Sequence, residues 1–385
     1  MIDYELTNEQ KDLQGRMVAF CRAEIAPAAA ELDAAAPDKV PEMLRARFRK
    51  LAGAGYFDLL LKADFVSQCV AGEELAKACP ATFLAAMSSG TAFGMAIQCF
   101  GSQAQKTRYL PGIAAGEFIG ALACTEADAG SDLSGMVTKA EKKGDGWVLT
   151  GSKDLVTNAP VADAFLVLAW TDREAGLDKG LSLFVVEKGA SGLAVGETVE
   201  TMGLRGAPTA GISLTGCAVS ADALVGEAGG GYALLGRITE WIKISLSSMS
   251  VGLGVACMEV STGHGKGKKA FGKPIGLFEG VGAKLAVMFT LNDLGRMMTL
   301  RAAWSTDHQE TEAPILTASA KLFTSESINK IADLAMQVHG GHGYVKGAAV
   351  ERLYRDARFA ELAYGTSEMQ RAFIARDSLN RYKPA

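Results

Sequence analysis

The sequence predicts an α+β protein made of three successive blocks, the first helical, the second β and the third helical again. Three observations carry this. Up to Glu117 apolar residues recur at helical spacing; between about Phe118 and Leu224 the chain becomes short Val-, Leu-, Ile- and Phe-rich runs separated by Gly, Asp and Asn; from Gly229 long helical periods return. Blocks at 1–117, 118–228 and 229–385 follow, the middle one a mostly antiparallel, barrel-like β domain and the last a four-helix bundle.

In the first block Leu13, Met17 and Phe20 mark one helix before Pro27, and Leu44 to Leu51 mark another. Glu73 to Ala78 opens a longer helix interrupted by Pro80, and Ala104 to Leu110 forms one that ends at Pro111 and Gly112. In the second, strands are read at Phe118 to Cys124, Gly146 to Thr157, Ala164 to Trp170, Leu181 to Val186 and Ile212 to Val219, with a hairpin turn at Lys143-Gly144-Asp145-Gly146. In the third, helices are read at Tyr232 to Thr262, Gly276 to Ser305, Pro314 to Val338 and Ser367 to Arg381.

Composition narrows the function. A chain of 385 residues, 49% hydrophobic, has material for more than one core. Its 43 acidic and 39 basic residues nearly cancel, and no basic run interleaves with aromatics, so small molecules or proteins are expected partners and nucleic acid is not. The opening MIDYELTNEQ is acidic and lacks a basic, apolar leader pattern, and no uninterrupted apolar run long enough for a bilayer follows. A cytoplasmic protein without membrane attachment is expected. The seven cysteines are odd in number and lack metal-ligand spacing, so they read as reduced core residues; the four histidines form no metal pattern either.

The stretch Arg355 to Arg376 reads RDARFAELAYGTSEMQRAFIAR. A helix-like run ends near Tyr364, Gly365-Thr366 breaks it, and Ser367 with Gln370 three residues later has the form of a capping box for a second helix. Exposed N–H groups at such a helix start suit a phosphate or a flavin oxygen. An ordinary interhelical turn reads the same way.

Other stretches decide between these readings. In chain order they are FGSQAQKTRYLPGIAAGE, ACTEADAGSD, GSKDLVTNA, TMGLRGAPTAGISL, KKAFGKPI and QVHGGHGY, followed by the AYGTSEMQR just described. Together, in this order and over nearly the whole chain, they resemble the acyl-CoA dehydrogenase family of flavoproteins, whose fold has the same three blocks. The family's flavin stretch is T-E-P-G-A-G-S-D, its strand G-x-K-x-W-I-T-N, its turns R-x-x-F-G and Q-x-x-G-G-x-G, and its catalytic stretch E-G-T-x-x-x-Q-R.

The resemblance implies FAD as cofactor, an acyl thioester on CoA or an acyl carrier protein as substrate, an electron acceptor such as an electron-transfer flavoprotein, and a homo-oligomer, dimer or tetramer. It implies flavin contacts at Leu122, Cys124, Thr125 and Ser131, at Leu155, Val156 and Thr157, and at Thr366 and Glu368. Across a subunit interface it implies contacts of Lys268, Phe271 and Gly272 with the dinucleotide, Lys268 standing where the family has Arg and so losing the planar two-pronged donor, and it implies an approach of Gln337, Gly340 and Gly341 to the dinucleotide as well. Ser131, Glu240, Lys243, Tyr364 and Gly365 are implied at the substrate.

The departures lie at the chemistry. The family's base is a glutamate immediately before Gly-Thr, and here that residue is Tyr364. A second family location for the base, on the first bundle helix, falls at Ile242, beside Lys243 in the place of the family's arginine. A free tyrosine is ionised to only about 0.1% at neutral pH, a deficit of roughly 4 kcal/mol. Tyr364 can therefore act only if its pKa is lowered, for example by Lys243; otherwise it is a wall or a hydrogen-bond donor. Glu240 is the nearest carboxylate in sequence and the other candidate catalytic residue. Leu155 replaces the family's tryptophan, and Gly55 to Glu73 is about eight residues shorter than the family's loop. Three functions are compatible with this set: a secondary-metabolism type of desaturation at an unusual position, such as γ,δ in an enoyl thioester; a flavin-dependent oxidase or hydroxylase; and a catalytically silent flavin-binding protein.

Overall fold

The structure, a computed structural model, describes residues 5–382. Residues 1–4, at the start of the acidic opening stretch and the first block, and 383–385, at the end of the third, lie outside the described residues.

The helical first part runs from Asn8–Phe20, capped by Thr7 and Gln10 in a reciprocal box, to Gln103–Ala114, capped the same way by Ser102 and Gln105. Two proline expectations are corrected. Pro80 interrupts nothing: it opens the next helix after Phe65–Ala78, because Cys79 is extended and Pro at a helix start loses only a donor that has no partner there. Helix Gln103–Ala114 runs through Pro111 for one further turn, and its end is tied down by Glu117 and Phe118 N–H groups donating to Gly112 O at 2.9 Å each.

The sheet holds β1 (Gly120–Ala123), β2 (Lys139–Lys143), β3 (Gly146–Thr157), β4 (Ala164–Trp170), β5 (Leu181–Glu187), β6 (Leu193–Thr198), β7 (Thr209–Val219) and β8 (Leu224–Val225). Its order is β6-β7-β3-β2-β4-β5-β8, with β1 parallel on β4 and most other pairings antiparallel. Strand β4, AFLVLAW, is buried along its whole length because alternate residues feed two cores. Leu166, Leu168 and Trp170 face the helical core; Phe165, Val167 and Ala169 join Phe184 and Val186 on the other face.

Four long helices form the last part: Gly231–Gly267, Glu279–Asp307, Ala313–His339 and Ser367–Arg381. The sequence reading found no bilayer-length apolar run, yet Pro80–Phe100 and Gly231–Gly267 are long and apolar enough for one. Their apolar windows are 83% and 78% buried against the rest of the protein, so both are core helices here. Ser245, Ser247, Ser248 and Ser250 sit within the buried part of Gly231–Gly267 because each hydroxyl donates to a carbonyl three or four residues back.

Charged clamps join the three parts. Arg45 grips Asp163 at 2.8 and 3.2 Å, Arg355 grips Asp33 at 2.7 and 3.1 Å, and the buried Asp356 accepts from Leu204 N at 2.6 Å. Asp307 accepts from Phe65 and Val66 N–H at 2.7 and 3.0 Å, so the bundle caps a helix of the first part. Only residues 61–64 separate Tyr56–Leu60 from Phe65–Ala78, a short connection where the family's longer loop would stand.

Candidate active site

One side of the site is a turn of small residues, 125–131, held from behind by a buried ion pair. Lys153 and Glu126 meet at 2.7 Å with side chains 0% and 5% exposed. Glu126 also accepts from Val137 N at 2.7 Å and Thr138 N at 3.0 Å, and Lys153 donates to Cys124 O at 3.1 Å. Burial alone would raise the Glu126 carboxyl, but Lys153 and these donors hold it below its usual range; burial lowers the Lys153 ammonium against the pull of Glu126. Asp154 N donates to Thr125 O at 2.8 Å, closing the turn onto β3. Ala127, Asp128, Gly130 and Ser131 are left on an exposed lip, where a Cβ on Gly130 would meet only Thr125 Cγ2, at 3.9 Å.

Strand β3 slips register against β7 between Lys153 and Val156. Leu155 takes a left-handed φ of 51° and stands 60% exposed, while Val156 and Thr157 turn inward. Asn158, also left-handed, donates to Ala85 O at 2.8 Å and ends the strand. Leu122 and Cys124, on and just after β1, are partly buried against the main core, and burial pushes the Cys124 thiol up to about 12.

The opposite side is the break before the last helix. Tyr364 has φ 51° and Gly365 φ 96°, two left-handed residues in succession. Lys321 Nζ donates to Gly365 O at 2.7 Å, and Gln370 Nε2 donates to it at 3.1 Å. A side chain at 365 would be strained by the φ of 96° and would have to displace Gln370 Nε2, 2.5 Å from its Cβ, with Lys243 Cε at 3.9 Å. The expected capping residue is corrected. Thr366 caps the helix, its Oγ1 accepting from Met369 N at 3.4 Å, whereas Ser367 is buried with an unpartnered hydroxyl and Gln370 turns back to the loop. Thr366 wins because it is the last extended residue, ψ 166°, before the first helical turn. Glu368, exposed in that turn, has its carboxyl held below the usual range by its own backbone N–H and the Thr366 hydroxyl.

The remaining predicted cofactor residues gather elsewhere. Lys268 follows the end of Gly231–Gly267, Gln337 lies in the last turn of Ala313–His339, and Gly340 (φ 58°) with Gly341 begins the turn after it. Phe271 stands 95% exposed at φ 50°. The rings of His264 and His339 stack at 4.5 Å, which joins the two helix ends. From Lys321 to His339 is about 27 Å of helix, so Lys268 and the glycines form a second cluster, remote from Gly365.

Comparison with known proteins settles the family. Models of the acyl-CoA dehydrogenase N-terminal, middle and C-terminal domains match residues 7–117, 121–217 and 229–379. The chain is a member of the acyl-CoA dehydrogenase family. A probable acyl-CoA dehydrogenase of Bacillus subtilis strain 168, YngJ, is 34% identical over 385 residues, covering 98% of this chain and 100% of the relative. Among solved structures, an FAD complex of PigA superposes with a TM-score of 0.91 at 27% identity (99% and 100% covered). The prolyl acyl carrier protein oxidase AnaB superposes with 0.89 at 28% identity (97% and 99% covered). The protein is an FAD-dependent oxidoreductase of the type acting on CH–CH bonds.

The residues present fit FAD. The Thr125, Ser131 and Thr157 side-chain oxygens have no hydrogen-bond partner among the described residues, and they flank an open lip. The backbone at Gly340 and Gly341 is equally open, with nothing within 4 Å of either Cβ position. The ionisable groups on this side of the site differ in kind. Burial, with Cys124 adding to it, pushes the Tyr364 phenol up. The expected lowering by Lys243 is therefore corrected: removing a half-buried phenol from water opposes its ionisation more than any nearby cation favours it. Burial raises the Glu240 carboxyl, with Arg237 at 3.7 Å and Lys243 opposing, and burial lowers the Lys243 ammonium. Three groups that the sequence reading missed are structural: Glu126 with Lys153, and Lys321, whose ammonium burial and Lys243 bring down to about 8. The signal for Lys153 was a lysine inside an otherwise closing β run; for Lys321 it was a lone lysine on an Ala- and Ser-lined helix face.

Proposed function

We propose that the protein desaturates an acyl thioester, carried on CoA or an acyl carrier protein, at a position other than that served by the usual glutamate, with γ,δ-dehydrogenation of an enoyl thioester as the best-supported case. One observation carries this reading: the flavin-facing turn and strand are intact, while the base position holds a phenol that its surroundings keep protonated. FAD, when bound, supplies the hydride acceptor.

The chain's own residues then divide the remaining work. Tyr364 fills the volume next to Gly365 and stays protonated, so it can donate a hydrogen bond but not take the proton at neutral pH. Glu240 takes the proton, its carboxyl already raised by partial burial toward the range of a working base, and Lys243 one turn on stabilises the charge left on the carbon acid. Extending the thioester by a conjugated double bond makes its γ-protons acidic and moves the reacting carbons away from Tyr364. Ser131, Glu240, Lys243, Tyr364 and Gly365 form the substrate side in this reading, and Leu122, Cys124, Thr125, Leu155, Val156, Thr157, Thr366 and Glu368 the flavin side.

The likeness to a carrier-protein oxidase supports a carrier-bound substrate and also a second reading, in which reduced flavin is reoxidised by oxygen rather than by an electron-transfer flavoprotein. Exposed Val287, Phe289, Leu294 and Met297 along Glu279–Asp307 support a homo-oligomer, in which Lys268, Phe271, Gln337, Gly340 and Gly341 complete a neighbouring subunit's FAD site. We also propose a cytoplasmic location and block limits near 117 and 228. The test is a panel of saturated and enoyl thioesters on CoA and on carrier protein, with and without oxygen, using wild type, Tyr364→Phe, Tyr364→Glu and Glu240→Gln. Oxidation of enoyl but not saturated thioesters, lost in Glu240→Gln and retained in Tyr364→Phe, is expected. Oxidation of saturated thioesters alone removes the γ,δ reading, and flavin that no thioester bleaches removes the enzyme reading.

A further inference from the structure

The second cluster contains more than the residues already assigned to it. The first and third bundle helices end side by side, and each carries a histidine in its last turn. His264 and His339 stack at 4.5 Å with ring planes 29° apart. Around them stand Lys268 and, in the turn after Gly341, His342. His339 Nδ1 lies 2.8 Å from Ala335 O, a carbonyl that can only accept, so Nδ1 carries the proton and Nε2 is the ring's free acceptor when neutral. The charged groups acting on His264 are His339, His342 and Lys268, all capable of positive charge and with no carboxylate among them. The adjoining backbone is bare: a Cβ at Gly267, Gly272, Gly340 or Gly341 would meet nothing within 4 Å. Stacked imidazoles crowded by cations beside an open glycine backbone are poorly arranged for the free protein and well arranged for a bound polyanion.

We propose that His264 and His339 form with Lys268 a proton-linked cradle for the FAD pyrophosphate, so that binding the dinucleotide takes up a proton from solvent onto His264. The inference rests on FAD as cofactor and not on the choice of thioester substrate. In the free chain, burial and the neighbouring cations hold His264 below its ordinary value near 6.5. Phosphate charge beside it outweighs the repulsion of the neighbouring cations and raises it. A group whose affinity for protons rises on binding makes binding stronger at low pH. FAD affinity therefore falls as pH rises through the window from below 6.5 to the bound value, by up to about tenfold per pH unit for one proton. Lys268, shorter in reach and less fixed in donor geometry than an arginine, leaves room for this second source of positive charge.

The experiment uses the full chain, with bound flavin first established from its visible spectrum. Absence of that spectrum overturns the FAD assignment itself. FAD is then titrated calorimetrically into flavin-stripped protein in two buffers of different ionisation heat, and flavin release from the holoprotein is followed by fluorescence between pH 6 and 9. A buffer-dependent heat corresponding to a substantial fraction of one proton, and a release constant that rises with pH, are expected. His264→Phe keeps the stack and should abolish both effects, while Lys268→Gln should weaken FAD at every pH and keep the slope. Equal heats in the two buffers for wild type overturn the proposal without any variant having to fold, and so does a pH slope unchanged in a folded His264→Phe.

Discussion

The two walls of the site are built on opposite principles. On the flavin wall, every buried charge is answered: Glu126 and Lys153 have each other, four further partners between them, and almost no solvent. On the loop wall, the Lys243 ammonium has no hydrogen bond among the described residues, and Lys321 holds a carbonyl rather than a carboxylate. The difference teaches that the turn-and-strand wall is fixed by mutually paired charges and the loop wall is not. Burial depresses both ammonium groups, and at Lys321 the charge of Lys243 adds to it, because Tyr364 offers them no negative charge.

The strongest way to break the comparison is Lys153→Met, which leaves Glu126 buried without its cation. A loss of about 3–5 kcal/mol is expected, together with loss of flavin, read from urea midpoints and the flavin absorbance of the purified variant. A loss below about 1 kcal/mol would mean that the flavin wall does not depend on this pair. The loop wall answers to pH instead. Lys321 is 1% exposed and titrates near 8 when folded, against an ordinary value of 10.5. Its folded pKa is depressed, so its contribution is present above the unfolded value and is lost as pH falls through 8. Relative to Lys321→Met, wild type should gain stability between pH 8 and 10.5, by at most about 3 kcal/mol. Equal pH slopes for the two proteins would show that the lysine is solvated in solution.

Much of this contrast was legible in the sequence, for reasons that differ by region. Helix Ser367–Arg381 could be read to the residue because Gly365 and Thr366 punctuate its start. The cap itself could not, because Thr366 and Ser367 are both good caps and only backbone geometry chooses between them. Strand β6 escaped notice because LAVGET is an edge strand with mostly exposed residues and so has no apolar alternation. The Glu126–Lys153 pair spans 27 residues, and two charged side chains in sequence read as solvated until a fold removes the water. Tyr364 was conspicuous as a departure, but the direction of its ionisation depends on burial, which no local pattern records.

A smaller effect tests how firmly the loop is anchored. Thr366→Ala removes the cap of the last helix, and the 3.4 Å bond it forms is long, so a cost of about 0.5–1 kcal/mol is expected in the thermal midpoint or urea curve. A cost well above that would mean that Thr366 also fixes Gly365 and Tyr364, and the loop would have to be regarded as rigid as the opposite wall.

The finest discrimination uses the one feature the walls share, a left-handed non-glycine residue on each: Leu155 at φ 51° and Tyr364 at φ 51°. Asparagine tolerates this conformation where leucine and tyrosine pay roughly 1 kcal/mol or more. Leu155 is 60% exposed, so Leu155→Asn gives up little packing and should stabilise the protein by about 0.5–1 kcal/mol. Tyr364 is partly buried against the main core, so Tyr364→Asn relieves the same strain but loses apolar burial of about 1–2 kcal/mol and should come out destabilised. Opposite signs in the two unfolding curves mean that strain on the flavin wall is carried by backbone geometry alone, while on the loop wall side-chain packing holds it in place. Gains in both variants would show that Tyr364 is not packed as the structure has it, and its phenol would then be free to titrate nearer its ordinary value.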